Sequence, residues 1–248
     1  MRPFLLHRFM GQVDRRQGRE LRISADRPMA RALAASGPKG YPYNGCMSAE
    51  TETSETLNLT HHFLIAMPGM QDEMFSRSVV YVCEHSDKGA LGIIINKPSD
   101  ITMGKLFDKV DLLLRRDDLH QEPVFQGGPV HTERGFVLHD RIVLDASAGD
   151  ESAYASTLTI PGGLEMTTSR DVLEALSTGA GPRRVLVSLG YSSWGEGQLE
   201  SEITENAWLT VNANTQVIFD TPIEQRYDMA LGLLGVQPWA LSAAAGRA

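Results

Sequence analysis

The chain has 248 residues, of which 42% are hydrophobic and 22% charged, and its formal net charge is −8. This composition is ordinary for a globular protein and excludes a collagen-like, disulfide-stapled or wholly disordered chain, and no stretch approaches the roughly 18 unbroken apolar residues of a membrane span. Two cysteines, Cys46 and Cys83, are too few for a disulfide framework and lack zinc-site spacing, which favours a reducing cytoplasm.

The first 56 residues differ from the rest in charge. Residues 1–40 carry nine basic residues against three acidic ones, whereas residues 57–248 carry 14 against 25. The segment lacks a sustained hydrophobic period, which predicts a basic, disordered or peripheral extension over residues 1–56. It fits a transit peptide, a basic arm for an anionic partner, or upstream sequence translated from a start codon assigned too early. We favour the third interpretation, with Met47 as the true start, because a short polar lead then runs into the first strand.

Residues 57–248 are expected to form a single domain whose first half is rich in strands. Strands are predicted at His62–Met67, Ser78–Glu84 and Ala90–Asn96. The turn between the second and third is so short that these strands must form an antiparallel hairpin. Thr102 can cap a helix that runs to about Val110, with one apolar face.

The second half alternates strands and helices irregularly. Strands are predicted at residues 124–125, 136–139, 158–160 and 184–189, and helices begin at Thr168 and at Thr221, each with a capping pattern. A hairpin followed by this irregular order favours a mixed sheet with helices packed on it over a strict parallel repeat. The expected fold class is therefore α/β in the broad sense, a mixed α+β domain.

Several motifs occur in a fixed order along this domain. They are Met67-Pro68-Gly69-Met70 before Val79–His85, Gly89-Ala90-Leu91-Gly92 with Asn96-Lys97-Pro98, Gly127-Gly128-Pro129-Val130 before Gly135–His139, and Gly190-Tyr191 with Trp194, Gly197-Gln198-Leu199-Glu200 and Asn206–Leu209. Together they resemble the AlgH/YqgE family of bacterial proteins, from about Leu57 to about Val236. One departure is Ser192-Ser193, where family members usually place Ala-Gly; all four residue types are small.

The resemblance implies a compact fold with a branched, partly barrel-like sheet flanked by helices, in a cytosolic bacterial protein. One branch of the family has been linked to transcriptional control of alginate production. The family has no established activity, cofactor or catalytic residue, so none carries over to this chain. Because the resemblance does not reach residues 1–56, it supports Met47 as the start.

Motifs that would indicate a catalytic or metal site are incomplete in this sequence. Glu84-His85 with His139 suggests an acid–base pair or part of a metal site, but a third convergent ligand is missing. We expect a loop-fixing carboxylate and a surface imidazole instead. The segment Gly190–Trp194 resembles a nucleophile elbow but lacks its final glycine, and no histidine follows it. We therefore assign no catalytic residue, metal ligand or cofactor.

A candidate binding surface is nevertheless predicted. Lys97 at a strand end could bind an anion, the Gly127-Gly128 turn lets a backbone approach closely, and polar and aromatic residues after a buried strand could line a shallow pocket. The candidate residues are Asn96, Lys97, Gly127, Gly128, Tyr191, Trp194, Gln198 and Glu200.

Two functions from different classes follow. The first is a non-enzymatic regulatory or interaction protein with a protein partner, because the motifs are structural and carry no complete chemistry. Direct binding of nucleic acid is not expected, since residues 57–248 are acidic and show no basic stripe. The alternative is a small-molecule or anion-binding protein or enzyme, with its pocket between Asn96-Lys97, Gly127-Gly128 and Trp194–Glu200.

Overall fold

A computed structural model describes residues 57–142 and 152–235, which all belong to one compact unit. Predictions for the N-terminal extension and for Met47 lie outside the described residues. The strands are β1 His62–Ala66, β2 Val79–Ser86, β3 Gly89–Ile94, β4 Pro98–Thr102, β5 Pro123–Gln126, β6 Val130–Asp140, β7 Thr157–Ile160, β8 Leu164–Thr167, β9 Val185–Trp194 and β10 Trp208–Asn212. The helices are α1 Met103–Lys109, α2 Asp171–Thr178, α3 Gln198–Thr204, α4 Thr215–Phe219 and α5 Arg226–Leu233, with 3-10 turns at Asp117–Leu119 and Ile223–Gln225.

The described strands form one curled sheet. Its main path runs β10-β1-β2-β3-β9-β6-β8-β7, and β4 and β5 branch from β9. Every strand pair in this part of the chain is antiparallel except β5 with β9. The fold is thus a mixed α+β half-barrel with five helices among the described residues, which confirms the expected fold class and the branched, partly barrel-like sheet.

Strand β9 is the junction of the sheet. Ser188 lies between Phe125 of β5 and Phe136 of β6, whereas Ser192 pairs with Gly92 of β3. Between these positions Gly190 adopts a φ of 73°, a conformation that favours glycine. The chain therefore bends at Gly190 and continues as a strand, so the prediction that the strand ends at residue 189 is wrong.

Three hydrophobic clusters hold the half-barrel together. The largest gathers one face of most strands, including Phe63, Tyr81 and Leu138, and α4 and α5 pack onto it. A second cluster under α3 contains Trp194 and Trp208. The third lies under α1 and α2. Alternate residues of each strand point to opposite faces, so one sheet supplies the clusters on both sides.

The capping patterns in the sequence predicted some helix starts correctly and others not. Thr102 caps α1 as predicted, and its side chain accepts a hydrogen bond from Lys105 N. The capping box at Thr168 is wrong, because α2 begins at Asp171 and no side chain caps it. The helix expected from Thr221 opens with a 3-10 turn before α5. Strands β4, β8 and β10 and helix α4 carry no pattern that we recognised in the sequence.

No helix within residues 57–142 and 152–235 is both long and apolar enough to cross a membrane.

Candidate functional site

Asn96 and Lys97 follow β3 and are partly buried. The Asn96 side chain accepts a hydrogen bond from Val79 N at 2.8 Å and donates one to Arg77 O at 2.8 Å. The Lys97 carbonyl accepts from Gln126 N at 2.8 Å. Asn96 therefore fixes the strand end through one acceptor and one donor bond of its side-chain amide.

Gly127 and Gly128 lie against β9. A Cβ at Gly127 would lie 2.2 Å from Gly190 O, and one at Gly128 would lie 2.3 Å from the Tyr191 carbonyl carbon. The Gly127 amide donates to Leu189 O at 2.9 Å. The close backbone approach predicted from these glycines is real, but its partner is a neighbouring strand.

The remaining candidates lie near the other end of β3. Trp194 pairs with Ala90, at the start of β3, whereas Asn96 follows its last residue. Six residues of extended chain span about 20 Å, so Asn96 and Trp194 lie near opposite ends of β3. Tyr191 packs against the largest cluster, whereas Trp194 belongs to the cluster under α3.

Gln198 and Glu200 are both on α3, and both make hydrogen bonds within the protein. Gln198 Nε2 donates to Glu202 Oε1 at 3.0 Å. Glu200 Oε1 lies 2.9 Å from His85 Nε2. A ligand-binding role for any of the eight candidates stays a prediction.

In the two buried histidines of the described ranges, both ring nitrogens make hydrogen bonds. His85 Nδ1 accepts from Leu59 N at 3.0 Å, so the neutral ring carries its proton on Nε2 and donates to Glu200. His139 donates from Nδ1 to the Asp140 carbonyl at 2.8 Å and accepts at Nε2 from the Thr167 hydroxyl at 2.9 Å. His85 is 4% exposed, so the prediction of a surface imidazole is wrong.

Other reactive groups are also held in structural roles. Burial lowers the pKa of His139, and burial raises the pKa of the Cys83 thiol far above its usual range. The Glu84 carboxylate is exposed, on the opposite side of its strand from His85. Within the described ranges, no three His, Cys, Asp or Glu side chains are grouped so as to hold a metal ion.

A different concave site is lined by arginines. It is a cleft of about 300 Å³, which we call the arginine cleft, and it lies where α1, the turn at Asp117–Leu119, β5, β9, α4 and α5 meet. The lining residues are Met103, Arg116, Asp118, Leu119, Glu122, Pro123, Phe125, Arg183, Arg184, Val185, Leu186, Val187, Ile218, Phe219 and Arg226. Its volume is at the lower end of the roughly 300–1,000 Å³ of small-molecule pockets.

Arg226 lies deep in the arginine cleft and is only 7% exposed. Its Nε donates to Thr221 O at 3.1 Å, its Nη1 donates to Ile95 O, and its guanidinium lies 5.1 Å above the Phe125 ring. Burial lowers the pKa of Arg226 to about 10, so the group is still a cation at neutral pH. In the described part of the chain no carboxylate lies within 4.0 Å of it.

Two other arginines of the cleft are neutralised and one is not. Arg184 makes a bidentate pair with Asp140 at 2.7 and 2.9 Å, and Arg116 pairs with Asp118. Arg183 is exposed, and its guanidinium makes no hydrogen bond or ion pair with the residues that the structure describes. The arginine cleft thus contains two cations that have no ion-pair partner among the described residues, the buried Arg226 and the rim residue Arg183.

Few features of the sequence indicate this site. The sequence predicts anion recognition by Lys97 at a strand end, whereas the cations of the cleft come from the loop before β5, the residues just before β9 and the start of α5. The adjacent pair Arg183-Arg184 before a buried strand was the one local signal, because such a pair is placed at a sheet edge. Arg226 carried no signal, since its neighbours in space are distant in sequence.

The fold and the site define a mixed α+β half-barrel protein with an arginine-lined cleft. Residues 63–239 match the family described as AlgH-like, and the chain belongs to this family. A UPF0301 protein of Polaromonas sp. (strain JS666) is 72% identical over 195 residues, which are 79% of this chain and 98% of the relative. A UPF0301 protein of Delftia acidovorans is 69% identical over 202 residues, covering 82% of this chain and 100% of the relative.

Two solved structures resemble the fold. The solution structure of AlgH from Pseudomonas aeruginosa aligns with a TM-score of 0.61 and 42% identity, covering 79% of this chain and 100% of that protein. The crystal structure of protein DIP2367 from Corynebacterium diphtheriae aligns with a TM-score of 0.55 and 20% identity, covering 70% and 85% of the two chains. The second similarity extends to the fold alone.

Proposed function

We propose that this chain is a non-enzymatic regulatory protein that binds a small anion in the arginine cleft and communicates the bound state to a protein partner in the cytoplasm. The observation that carries this proposal is Arg226, a buried cation with no carboxylate partner among the described residues. Buried charges are normally paired. A buried side-chain charge that faces a cleft without an ion-pair partner therefore favours binding of a ligand of opposite charge there.

The arginine geometry favours binding of an oxyanion. A guanidinium has five N–H groups, and the backbone carbonyls of Thr221 and Ile95 engage only the Nε and Nη1 groups of Arg226. A unit anion 4 Å away would gain of order 4 kcal/mol of Coulomb energy near a protein surface. Stacking on Phe125 fixes the plane of the guanidinium, so little side-chain freedom is lost on binding.

A regulatory role is favoured over a catalytic one because the buried histidines and Cys83 lack the properties of catalytic groups. A histidine that acts as a general base needs a free ring nitrogen, and both nitrogens of His85 and of His139 already make hydrogen bonds. A nucleophilic cysteine needs a lowered pKa, and burial raises the pKa of Cys83. The groups that line the arginine cleft can bind and orient a ligand without reacting with it.

The partner is proposed to be a protein because the domain is acidic. Residues 57–248 carry 25 acidic residues against 14 basic ones, which repels nucleic acid phosphates. Two arginines in one cleft suit a small anion and are too few to track a phosphate backbone.

Calorimetric titration of the full chain with inorganic phosphate, pyrophosphate and succinate tests the proposal. We expect saturable binding of at least one anion. Arg226→Gln should weaken it roughly 10- to 100-fold, the worth of a charged hydrogen bond. Arg183→Ala, which removes an exposed side chain, should weaken it less, and the matched control Arg134→Ala, at an exposed position on β6, should leave it unchanged.

Folding of each variant is checked by circular dichroism, since Arg226 also binds backbone carbonyls. If Arg226→Gln fails to fold, the comparison of Arg183→Ala with Arg134→Ala still decides the question. The proposal is wrong if the folded wild-type chain binds none of the three anions, or if Arg134→Ala weakens binding as much as Arg183→Ala does.

A further inference from the structure

The arginine cleft contains one carboxylate that is not engaged. Both oxygens of Asp118 accept hydrogen bonds from Arg116, whereas the Glu122 side chain is exposed and makes no hydrogen bond or ion pair with any described residue. The uncommitted charges of the cleft are therefore two cations, Arg183 and Arg226, and one anion, Glu122.

The backbone of Glu122 is held in place at the junction of α1 and β5. Its carbonyl accepts from Met103 N at 2.8 Å, its own N donates to Leu119 O at 3.1 Å, and the next residue, Pro123, pairs with Thr102. Burial lowers the pKa of Arg226, and the charges of Glu122 and Glu224 oppose this effect. Glu122 thus lines the same cleft as the buried cation, on a segment whose backbone is held by hydrogen bonds.

The two arginines and the one free carboxylate of the cleft favour a ligand that carries both an anionic group and a hydrogen-bond donor. A carboxylate accepts hydrogen bonds and repels anions, so Glu122 disfavours a bare anion and favours one that carries a hydrogen-bond donor. Arg183 and Arg226 come from two different parts of the fold, the loop just before β9 and the start of α5. A tetrahedral phosphate presents oxygens in several directions and can meet both guanidinium groups, whereas the two oxygens of a carboxylate lie in one plane.

We propose that the arginine cleft takes a phosphorylated polyhydroxy compound of sugar phosphate size, with the phosphate on Arg226 and Arg183 and a hydroxyl group donating to Glu122. This inference rests on the proposed anion-binding function. A cleft of about 300 Å³ accommodates a small metabolite of this kind. Apolar residues such as Leu119 and Ile218 line the rest of the cleft and can pack against the carbon skeleton.

The test compares ribose 5-phosphate with inorganic phosphate by calorimetric titration of the full chain. We expect ribose 5-phosphate to bind roughly 10-fold more tightly, the effect of a hydrogen bond to a charged acceptor. Glu122→Gln should reduce this ratio to about one or two, and inorganic phosphate should bind more tightly because the repelling carboxylate is removed. Glu205→Gln, an exposed glutamate at the end of α3, is the matched control and should keep the wild-type ratio.

Each outcome decides between the two proposals. Equal binding of both ligands by the wild type, or a ratio that Glu122→Gln leaves intact, overturns the sugar phosphate assignment and leaves anion binding standing. Failure of the wild type to bind either ligand overturns this inference, and together with failure to bind pyrophosphate and succinate it overturns the proposed function as well.

Discussion

Replacing Gly127 by alanine should strongly destabilise the domain. The new Cβ would lie 2.2 Å from Gly190 O and 2.8 Å from Ser188 Oγ, so one of the two segments has to move by about 1 Å. Overpacking of this kind costs about 1–3 kcal/mol. Movement also strains the bonds of Gly127 with Ile94 N and Leu189 O, both 2.9 Å long, at about 0.5–1.5 kcal/mol each.

The expected loss in the free energy of unfolding is therefore roughly 2–6 kcal/mol, a large part of the 5–15 kcal/mol of a typical domain. Urea unfolding followed by tryptophan fluorescence measures it. Gly135→Ala is the matched control, because a Cβ there meets nothing within 4 Å, and it should change stability by less than about 1 kcal/mol. If Gly127→Ala unfolds within about 1 kcal/mol of wild type, the loop has free space and our structural interpretation of this glycine is wrong.

Three further predictions concern buried polar groups. Glu202→Gln should destabilise the domain by roughly 1–3 kcal/mol, because Glu202 Oε2 accepts from the indole groups of both Trp194 and Trp208, at 2.9 and 2.8 Å. Cys83 should react with a thiol reagent at pH 8 only when the protein unfolds, because burial raises the pKa of its thiol. The free energy of unfolding should decline as the pH falls below about 6.5, because burial lowers the pKa of His139 and the unfolded state then binds the proton first.

Each of these three has a control. Glu205→Gln should leave stability unchanged, and equal effects of the two glutamate variants would contradict the tryptophan argument. Thiol labelling uses a Cys46→Ser variant so that only Cys83 reports, and rapid reaction of the native protein would contradict its burial. His139→Gln should flatten the decline between pH 6.5 and 5, and a decline of unchanged slope would show that other groups cause it.

The sequence predicted features whose causes are local. The hairpin of β2 and β3 followed from a short turn, and the α1 cap followed from a threonine ahead of an apolar helical pattern. β9 was predicted too short because a glycine usually ends a strand, whereas Gly190 bends this one so that it can change partners. That bend depends on the neighbouring strands, which a local pattern does not describe.

The site was harder to predict for the same reason. Lys97 and Gly127 were chosen from their residue types, but whether a glycine approaches a ligand or a strand depends on the tertiary fold. Arg226 and Arg183 lie 43 positions apart in sequence and meet at one cleft only because α5 packs across the half-barrel. The positions of Asp140 and Asp118 in the fold also determine which arginines form ion pairs. The spacing of residues in the sequence does not predict those positions.

The most direct test of the anion site observes the arginine side chains themselves. Nuclear magnetic resonance can follow the Nε–H signals of Arg226, Arg183 and Arg134 while inorganic phosphate is added, with each signal assigned from an arginine-to-lysine variant. We expect saturable shifts for Arg226 and Arg183 at the same phosphate concentration, with the Arg134 signal unchanged. Equal, non-saturating shifts of all three, or a saturable shift confined to Arg134, would contradict this expectation.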